Sequence, residues 1–376
     1  MSVHVASVGI GRFGKRSEGL LELAIEAAEA ALDGIGRKKV DLFVVGTMLA
    51  HGPHGPLALL PRLAERLGLD WESGYRVEAA SATGAMAFHT AVHMIEAGRA
   101  RRALVVAVEK MTDQPTSTLT HELAAALHET EVASGATMPA LGSLVGQRYL
   151  QHHALAPEAL GLVTLHDRAM SARNPKAHLT KPVTAEEVAA SRPVALPLRL
   201  LHCAPISDGA AAVVVESGTG PATVLGLGQG FDALRITDRD DLTSFVATRL
   251  AARRAYQQSG LTRKNIELVE LHDAFSPLGF VHLEDLGFCG AGEAPTWYER
   301  GWVRPDGRVP VNPSGGLLGR GHPVAASGLA GIGEVALQLR GEAGPVAIAR
   351  APKVGLAHSM AGLGAQNFVT ILGAGG

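Results

Sequence analysis

The sequence predicts an α/β layered fold built from two like halves. Three observations carry that prediction. Continuous apolar runs such as "VDLFVVGT" at 40–47 and "RALVVAV" at 102–108 alternate with stretches of helical apolar spacing, the pattern of buried strands sandwiched by helices. The alternation breaks at about 111–195, which is rich in polar residues, His and Pro. Finally, 309–340 repeats the plan of 75–98: an extended segment, a turn of small residues, then a long helix.

Taken in order, residues 3–10 are rich in β-formers, and "SEGLLELAIEAAEAALDG" at 17–34 has helical spacing with Ser17 as the expected N-cap. A strand at 40–47, a short helix at 57–68, an extended segment at 75–80, a helix at 83–98 and a strand at 102–108 follow. Residues of about 111–195 read as a long insertion of short helices outside the sheet, a lid or substrate loop domain. Order resumes with the apolar strand "DGAAAVVVES" at 208–217. The second half then runs through a strand at 222–228, a helix at 242–260, a strand at 266–271 and a helix near 277–287. The extended "VPVNPSGG" at 309–316, a helix at 323–340 and strands near 353–358 and 365–372 complete it. The division is thus 1–220 and 221–376, with the insertion in the first half.

At 376 residues, 47% hydrophobic and 19% charged, the chain can bury a sizeable core as a soluble globular protein. Its net charge of −2 is evenly interspersed, without the basic stripe that nucleic-acid binding requires. Only Cys203 and Cys289 occur, far apart, which argues against a disulfide framework and for a reducing cytoplasm. The N-terminal "MSVHVASVGIGRFGKR" lacks the order of a signal peptide, and no run of about 18 apolar residues predicts a membrane span.

Several motifs fail on spacing. "GLGQG" at 226–230 invites a dinucleotide reading, but its glycines do not open a helix; a charged stretch from Asp232 to Asp241 intervenes. "GRFGK" at 11–15 lacks the spacing and the Ser/Thr of a phosphate loop. Sixteen histidines suggest metal, yet no HExxH motif occurs, so no metal site is expected.

A different constellation carries chemistry. "VEAASATGAMA" at 77–87 runs from an extended segment into a helix, and its turn presents one hydroxyl, Ser81. His272 lies in "VELHDAFSPLGF", His322 in "NPSGGLLGRGHPVAASG" and His358 in "GLAHSMAGLGAQ", each read as a loop following an apolar strand. A helix N-terminus beneath Ser81 favours a developing oxyanion. Imidazoles exchange protons near neutrality, and glycine-rich loops let backbone N–H groups approach a ligand carbonyl. This is equipment for carbonyl chemistry.

These segments together resemble the thiolase superfamily. "NPSGGLLGRGHPVAASG" matches its Asn-x-x-Gly-Gly…Gly-His-Pro-x-x-x-Ser-Gly signature. "ELHDAF", "CAPISDGAAAVVV", "SARNPKAHLTKPVTAEEV" and "HSMAGLGAQNFVTIL" resemble blocks of its sterol-carrier-protein-type and archaeal branch. The resemblance spans essentially the whole chain. It implies a five-layered α-β-α-β-α fold from two duplicated halves with an inserted loop domain, a homodimer or dimer of dimers, and acyl-CoA substrates. Coenzyme A would enter as the thioester substrate, with no separate cofactor. By position, His322 would face the nucleophile and help form one oxyanion hole, and His272 would hold a catalytic water. The N–H groups of Ser81 and Ala361 would form a second oxyanion hole, and His358 or Ser359 would act as acid/base at the α-carbon. Asn312 and Ser327 of the signature, with Ala361 and Gly362 of the last glycine-rich turn, are the expected substrate-binding positions.

The chain departs from its relatives at every catalytic thiol. The nucleophile turn, Cys-x-Ser-Gly in thiolases, reads Ser81-Ala82-Thr83-Gly84, and Ala274 and Ser359 replace the other expected cysteines. A serine hydroxyl is almost un-ionised near pH 7 without a strong base. Three functions follow from the resemblance. One is thiolase-type acyl transfer on a β-ketoacyl-CoA with Ser81 at the nucleophile position. The second is a retro-aldol cleavage of a β-hydroxyacyl-CoA, such as a sterol side chain, with a small OB-fold/zinc-ribbon partner. The third is a non-catalytic CoA-thioester-binding subunit.

Overall fold

The structure is a computed structural model that describes residues 1–37, 39–49, 56–69 and 73–375. The first half contributes β1 (Val3–Ile10), α1 (Leu20–Asp33), β2 (Leu42–Gly46), α2 (Leu59–Leu67), β3 (Ser73–Val77), α3 (Thr83–Glu96) and β4 (Arg102–Glu109). The inserted region then supplies α4 (Thr116–Ala124), α5 (Glu129–Ala133), α6 (Met138–His152), α7 (Gly161–Ser171) and α8 (Ala185–Ala190). A small separate hairpin, β5 (Pro193–Ala195) and β6 (Leu198–Arg199), precedes β7 (Gly209–Ser217). The second half holds β8 (Thr223–Phe231), α9 (Val246–Ser259), β9 (Leu268–Glu270), α10 (Ser276–Asp285), α11 (Ala294–Glu299), α12 (Val324–Leu339), β10 (Val354–Ala361) and β11 (Gln366–Gly373).

The main strands run β3-β2-β4-β7-β1-β8-β11-β10-β9, with the two halves meeting where His4 of β1 pairs with Thr223 of β8. Outward from that seam the order is β1, β7, β4, β2, β3 on one side and β8, β11, β10, β9 on the other. In the place matching β3, Val311 alone pairs in parallel with Val269 of β9. The flanking Pro310 and Pro313 have no N–H to donate, so the expected extended segment 309–316 cannot become a full strand. Helices α3 and α12 pack on each other between the two half-sheets, α1 covers the outer face of the first and α9 that of the second. The result is a five-layered thiolase-like architecture from two like halves.

Glycines set how closely these layers approach. Gly226, Gly228 and Gly230 alternate along β8, and a Cβ on them would meet the carbonyl oxygens of Ala255, Ala251 and Ala247 at 2.3, 1.8 and 2.1 Å. Alternate strand positions thus match a four-residue helical ridge of α9, and "GLGQG" is a strand face that admits a helix, not a phosphate turn. In the centre, a Cβ on Gly84 would strike Ala325 O at 2.5 Å and Leu329 N at 2.7 Å.

Two expectations are corrected. Ser17 does not cap α1, which starts at Leu20 with Gly19 at the N-cap; the Ser17 hydroxyl instead donates to the Glu18 carboxylate. His358 lies within β10, not in the glycine-rich turn, which spans Gly362–Gly364. No helix among the described residues is long and apolar enough to cross a membrane.

Candidate active site

The turn before α3 is tied by Thr83, not Ser81. Thr83 Oγ1 donates to Ala80 O at 2.6 Å and accepts the Ala79 N–H at 2.8 Å, while Ala80 sits at φ +42°. Ala82 occupies the N-cap of α3 and makes no side-chain cap. Ser81 is half-buried, and among the described residues neither its hydroxyl nor its N–H has a hydrogen-bond partner. A cleft of ≈830 Å³ opens beside this turn, lined by Ala79 and Ala80 on one side and Ala361 and Gly362 on the other. The turn and the end of β10 therefore border one space, although Ser81 itself and the three histidines are not among the residues that line it.

His322 stands just before α12, partly exposed, with Nδ1 2.8 Å from Ser327 Oγ. Ser327 gives its only proton to the carbonyl of Pro323 at 3.1 Å, so it accepts from His322 Nδ1–H and leaves Nε2 with its lone pair. Burial, and then the Arg320 guanidinium, push this imidazole down to about 3, so it is neutral at pH 7. His272 lies between β9 and α10, its ring 5.1 Å from that of His322 and nearly perpendicular. Burial, with His322 and His358 nearby, depresses its pKa well below the usual value.

His358 joins this group from β10. Its Nε2 is 2.8 Å from Asn367 Oδ1, and the Asn367 amide donates to Gly364 O at 3.0 Å. That orientation makes Nε2 the protonated nitrogen and leaves Nδ1 bare and unpartnered. Burial holds His358 down to about 4. The pleat separates it from Ser359, which faces α12: a Cβ on Gly328 would meet Ser359 Oγ at 2.6 Å and Ala85 N at 3.2 Å. The two acid/base candidates thus occupy opposite faces, Ser359 toward the first turn of α3 and His358 toward α10.

Among the expected binding positions, Asn312 has both ends of its amide bonded to protein. It is fully buried at φ +48°, accepting the Leu271 N–H at 2.6 Å and donating to Asp273 Oδ2 at 2.7 Å. Ser327 likewise serves His322. The glycines of "NPSGGLLGRGH" admit protein rather than ligand. A Cβ on Gly315 would meet Ser171 Cβ at 2.5 Å, and one on Gly319 would meet Ser171 Oγ at 2.5 Å. Residues Gly316–Arg320 form one π-type turn pressed against α7.

Sequence reasoning missed several buried groups here. His282 of α10 packs against His358 with ring centroids 4.3 Å apart and planes tilted by 51°. Arg320 lies 3.6 Å from Glu270 and donates to Ser314 Oγ at 3.1 Å and to Ser327 O at 3.3 Å. Glu109 accepts from Thr47 Oγ1 and the N–H groups of Met48 and Leu49, each at 3.0 Å, and from Ala325 N at 3.4 Å. Burial raises Glu109 to about 7. An acid ending an apolar strand and an arginine among glycines were the available signals. Neither cysteine is near the turn: Cys203 pairs with Phe275, and burial pushes its thiol up to about 12. Burial also raises Cys289, beside Glu284.

The thiolase N-terminal domain family matches residues 3–219, and the thiolase C-terminal domain-like family matches 228–374. The chain belongs to the thiolase superfamily. It is 36% identical to an acetyl-CoA acetyltransferase of Methanothermobacter thermautotrophicus over 381 residues, 98% of each chain. It is 30% identical to the benzoylsuccinyl-CoA thiolase subunit BbsB of Thauera aromatica, covering 96% of this chain and 94% of that one. Among solved structures, the Ltp2-ChsH2(DUF35) aldolase superposes with a TM-score of 0.83 at 28% identity, over 99% of this chain and 98% of that one. The chain is therefore a thiolase-superfamily member with no cysteine in the segment 77–87.

Proposed function

We propose that this thiolase-superfamily chain makes or breaks a C–C bond of an acyl-CoA through an enolate, without an acyl-enzyme intermediate. The observation that carries this reading is Ser81, the hydroxyl we align with the thiolase nucleophile, which among the described residues has no imidazole hydrogen-bonded to it. In the retro-aldol direction, a neutral imidazole, His322 through Nε2, takes the β-hydroxyl proton of a β-hydroxyacyl-CoA. The Cα–Cβ bond breaks, its electron pair moves onto the thioester as an enolate, and a carbonyl compound leaves. The N–H groups of Ser81 and the Ala361–Gly362 end of β10 hold the enolate oxygen. The proton then returns to the α-carbon, so nothing is consumed beyond the substrate. The structural likeness to the Ltp2-ChsH2(DUF35) aldolase supports this reaction; the small OB-fold/zinc-ribbon protein is the partner we propose for it. The test is chromatography with mass detection of β-hydroxyacyl-CoA cleavage, with and without such a co-expressed partner. Ser81→Ala should retain turnover; an acyl adduct on Ser81 during turnover would overturn the proposal.

A second reading, acyl transfer through Ser81 on a β-ketoacyl-CoA, is favoured by the 36% identity to an acetyl-CoA acetyltransferase. It requires that same adduct and loss of activity in Ser81→Ala. A CoA-thioester-binding subunit without catalysis would show neither activity, and His322→Ala would then change nothing but binding.

A further inference from the structure

Asp167 of α7 and Asp273, the residue after His272, are both completely buried, and their carboxyl groups lie within hydrogen-bonding contact. Both crowd one point: a Cβ on Gly316 would meet Asp167 Oδ2 at 2.1 Å and Asp273 Oδ2 at 2.6 Å. Asp273 has a donor on each oxygen, accepting Leu317 N–H on Oδ1 at 2.7 Å and Asn312 Nδ2–H on Oδ2 at 2.7 Å. Asp167 is poorly supplied: neither oxygen has a well-formed hydrogen bond to a donor among the described residues, and of the side chains beside it only the Asn312 amide, already bonded to Asp273, can donate. Two acceptor-only carboxylates cannot share a dry contact, so one must carry a proton. The donors already spent on Asp273 assign that proton to Asp167.

We propose that Asp167, protonated and donating its O–H to Asp273, is a positioning residue by which the inserted region fixes the two site histidines. Asp273 anchors His272 by direct succession and, through Leu317, the turn leading to His322. The same helix makes a parallel attachment one residue earlier, where His166 Nε2 donates to Val311 O at 2.7 Å. Further links surround it: Asn174 Nδ2 donates to Ser314 O at 2.8 Å, and the N–H groups of His178 and Leu179 donate to Arg320 O and Gly319 O at 2.9 and 3.1 Å. Burial and the Asp273 charge raise Asp167 well above the usual carboxylate range. The other ionisable groups facing the pair are Glu270, Arg320 and the unpartnered hydroxyl of Tyr298.

This rests on the reading that His272 and His322 serve the reaction. The experiment therefore pairs infrared spectroscopy, which needs no turnover, with kinetics on the full chain. Asp167→Asn keeps a donor toward Asp273; Asp167→Leu removes it, and Asp273→Asn removes the acceptor. Expected for Asp167→Asn are loss of one protonated-carboxyl band at pH 7, kcat close to wild type and no alkaline fall in kcat. Asp167→Leu and Asp273→Asn should each lose about tenfold or more in kcat with little change in KM. An unchanged infrared band in Asp167→Asn, or a loss in kcat equal to that of Asp167→Leu, overturns the proposal. Absence of turnover in wild type with the band still lost in Asp167→Asn would instead fail the proposed reaction and leave the carboxyl pair standing.

Discussion

Protonation state decides what each site residue can do. Ser81 has an open N–H and hydroxyl but no base, whereas His322 and His358 each have one nitrogen engaged and one bare. A neutral imidazole with a fixed tautomer offers its bare nitrogen at pH 7 without first losing a proton, and a bound substrate that displaces water and brings charge must raise its low basicity for it to act as base. His322→Ala should therefore lower kcat by about 10²–10⁴-fold, as removal of a general base does. Ser327→Ala should act in the same direction but less, since it frees the Nδ1 proton and the ring orientation rather than removing the base. Steady-state cleavage of β-hydroxyacyl-CoAs checks both, and equal losses in the two variants would contradict these roles. At this scale the sequence was legible in part. His272 and His322 lie side by side, while Asn312 bonds Leu271 and Asp273 and Ser327 bonds His322. Which nitrogen of a ring is bare depends on the hydrogen-bond geometry that Asn367, Ser327 and Pro323 adopt around it, which residue order alone does not specify.

Among elements, the glycine pattern carries the specification. Gly226, Gly228 and Gly230 clear a face of β8 for the backbone of α9, and Gly84 clears α3 for α12. Gly228→Ala forces a methyl into Ala251 O at 1.8 Å and should destabilise the chain by about 3 kcal/mol through displacement of α9. Gly331→Ala is the opposite case. Its Cβ would find only Glu270 Cβ at 3.6 Å, an ordinary contact, so helix propensity in α12 should stabilise by about 0.5–1 kcal/mol. Denaturant midpoints at constant slope measure both. Strand and helix order was readable from apolar periodicity, including the matching plans of 75–98 and 309–340. The placing of His358 in a loop was not correct, because β10 continues through polar residues that are buried by α10 on one face and α12 on the other.

Over the whole molecule, the buried histidines link stability to pH. The folded chain keeps His322 at about 3 and His358 at about 4, both depressed mainly by burial, while the unfolded chain binds protons from about 6.5 downward. The unfolded state thus holds more protons between roughly pH 6.5 and 4, and stability falls as pH drops through that window. Glu109 and Glu270, raised to about 7 by burial, act oppositely: folded carboxyls keep their protons, so their contribution falls as pH rises toward 7. Replacing His358 with Gln should flatten the acid side of the melting-temperature profile between pH 4 and 6.5. An unchanged profile would mean that His358 titrates alike in both states.

By itself, the sequence determined the layers, the duplication and the family, because periodicity, glycine spacing and the 309–340 signature are local properties of the chain. It also determined that no thiol stands at the nucleophile turn. Only the tertiary structure decided which glycines admit helices rather than ligands, which carboxyl carries a proton, and which face of β10 each acid/base candidate takes. Those depend on contacts between residues more than a hundred positions apart, Asp167 with Asp273 and Glu109 with Ala325 among them, whose energies arise only once water is excluded from between them.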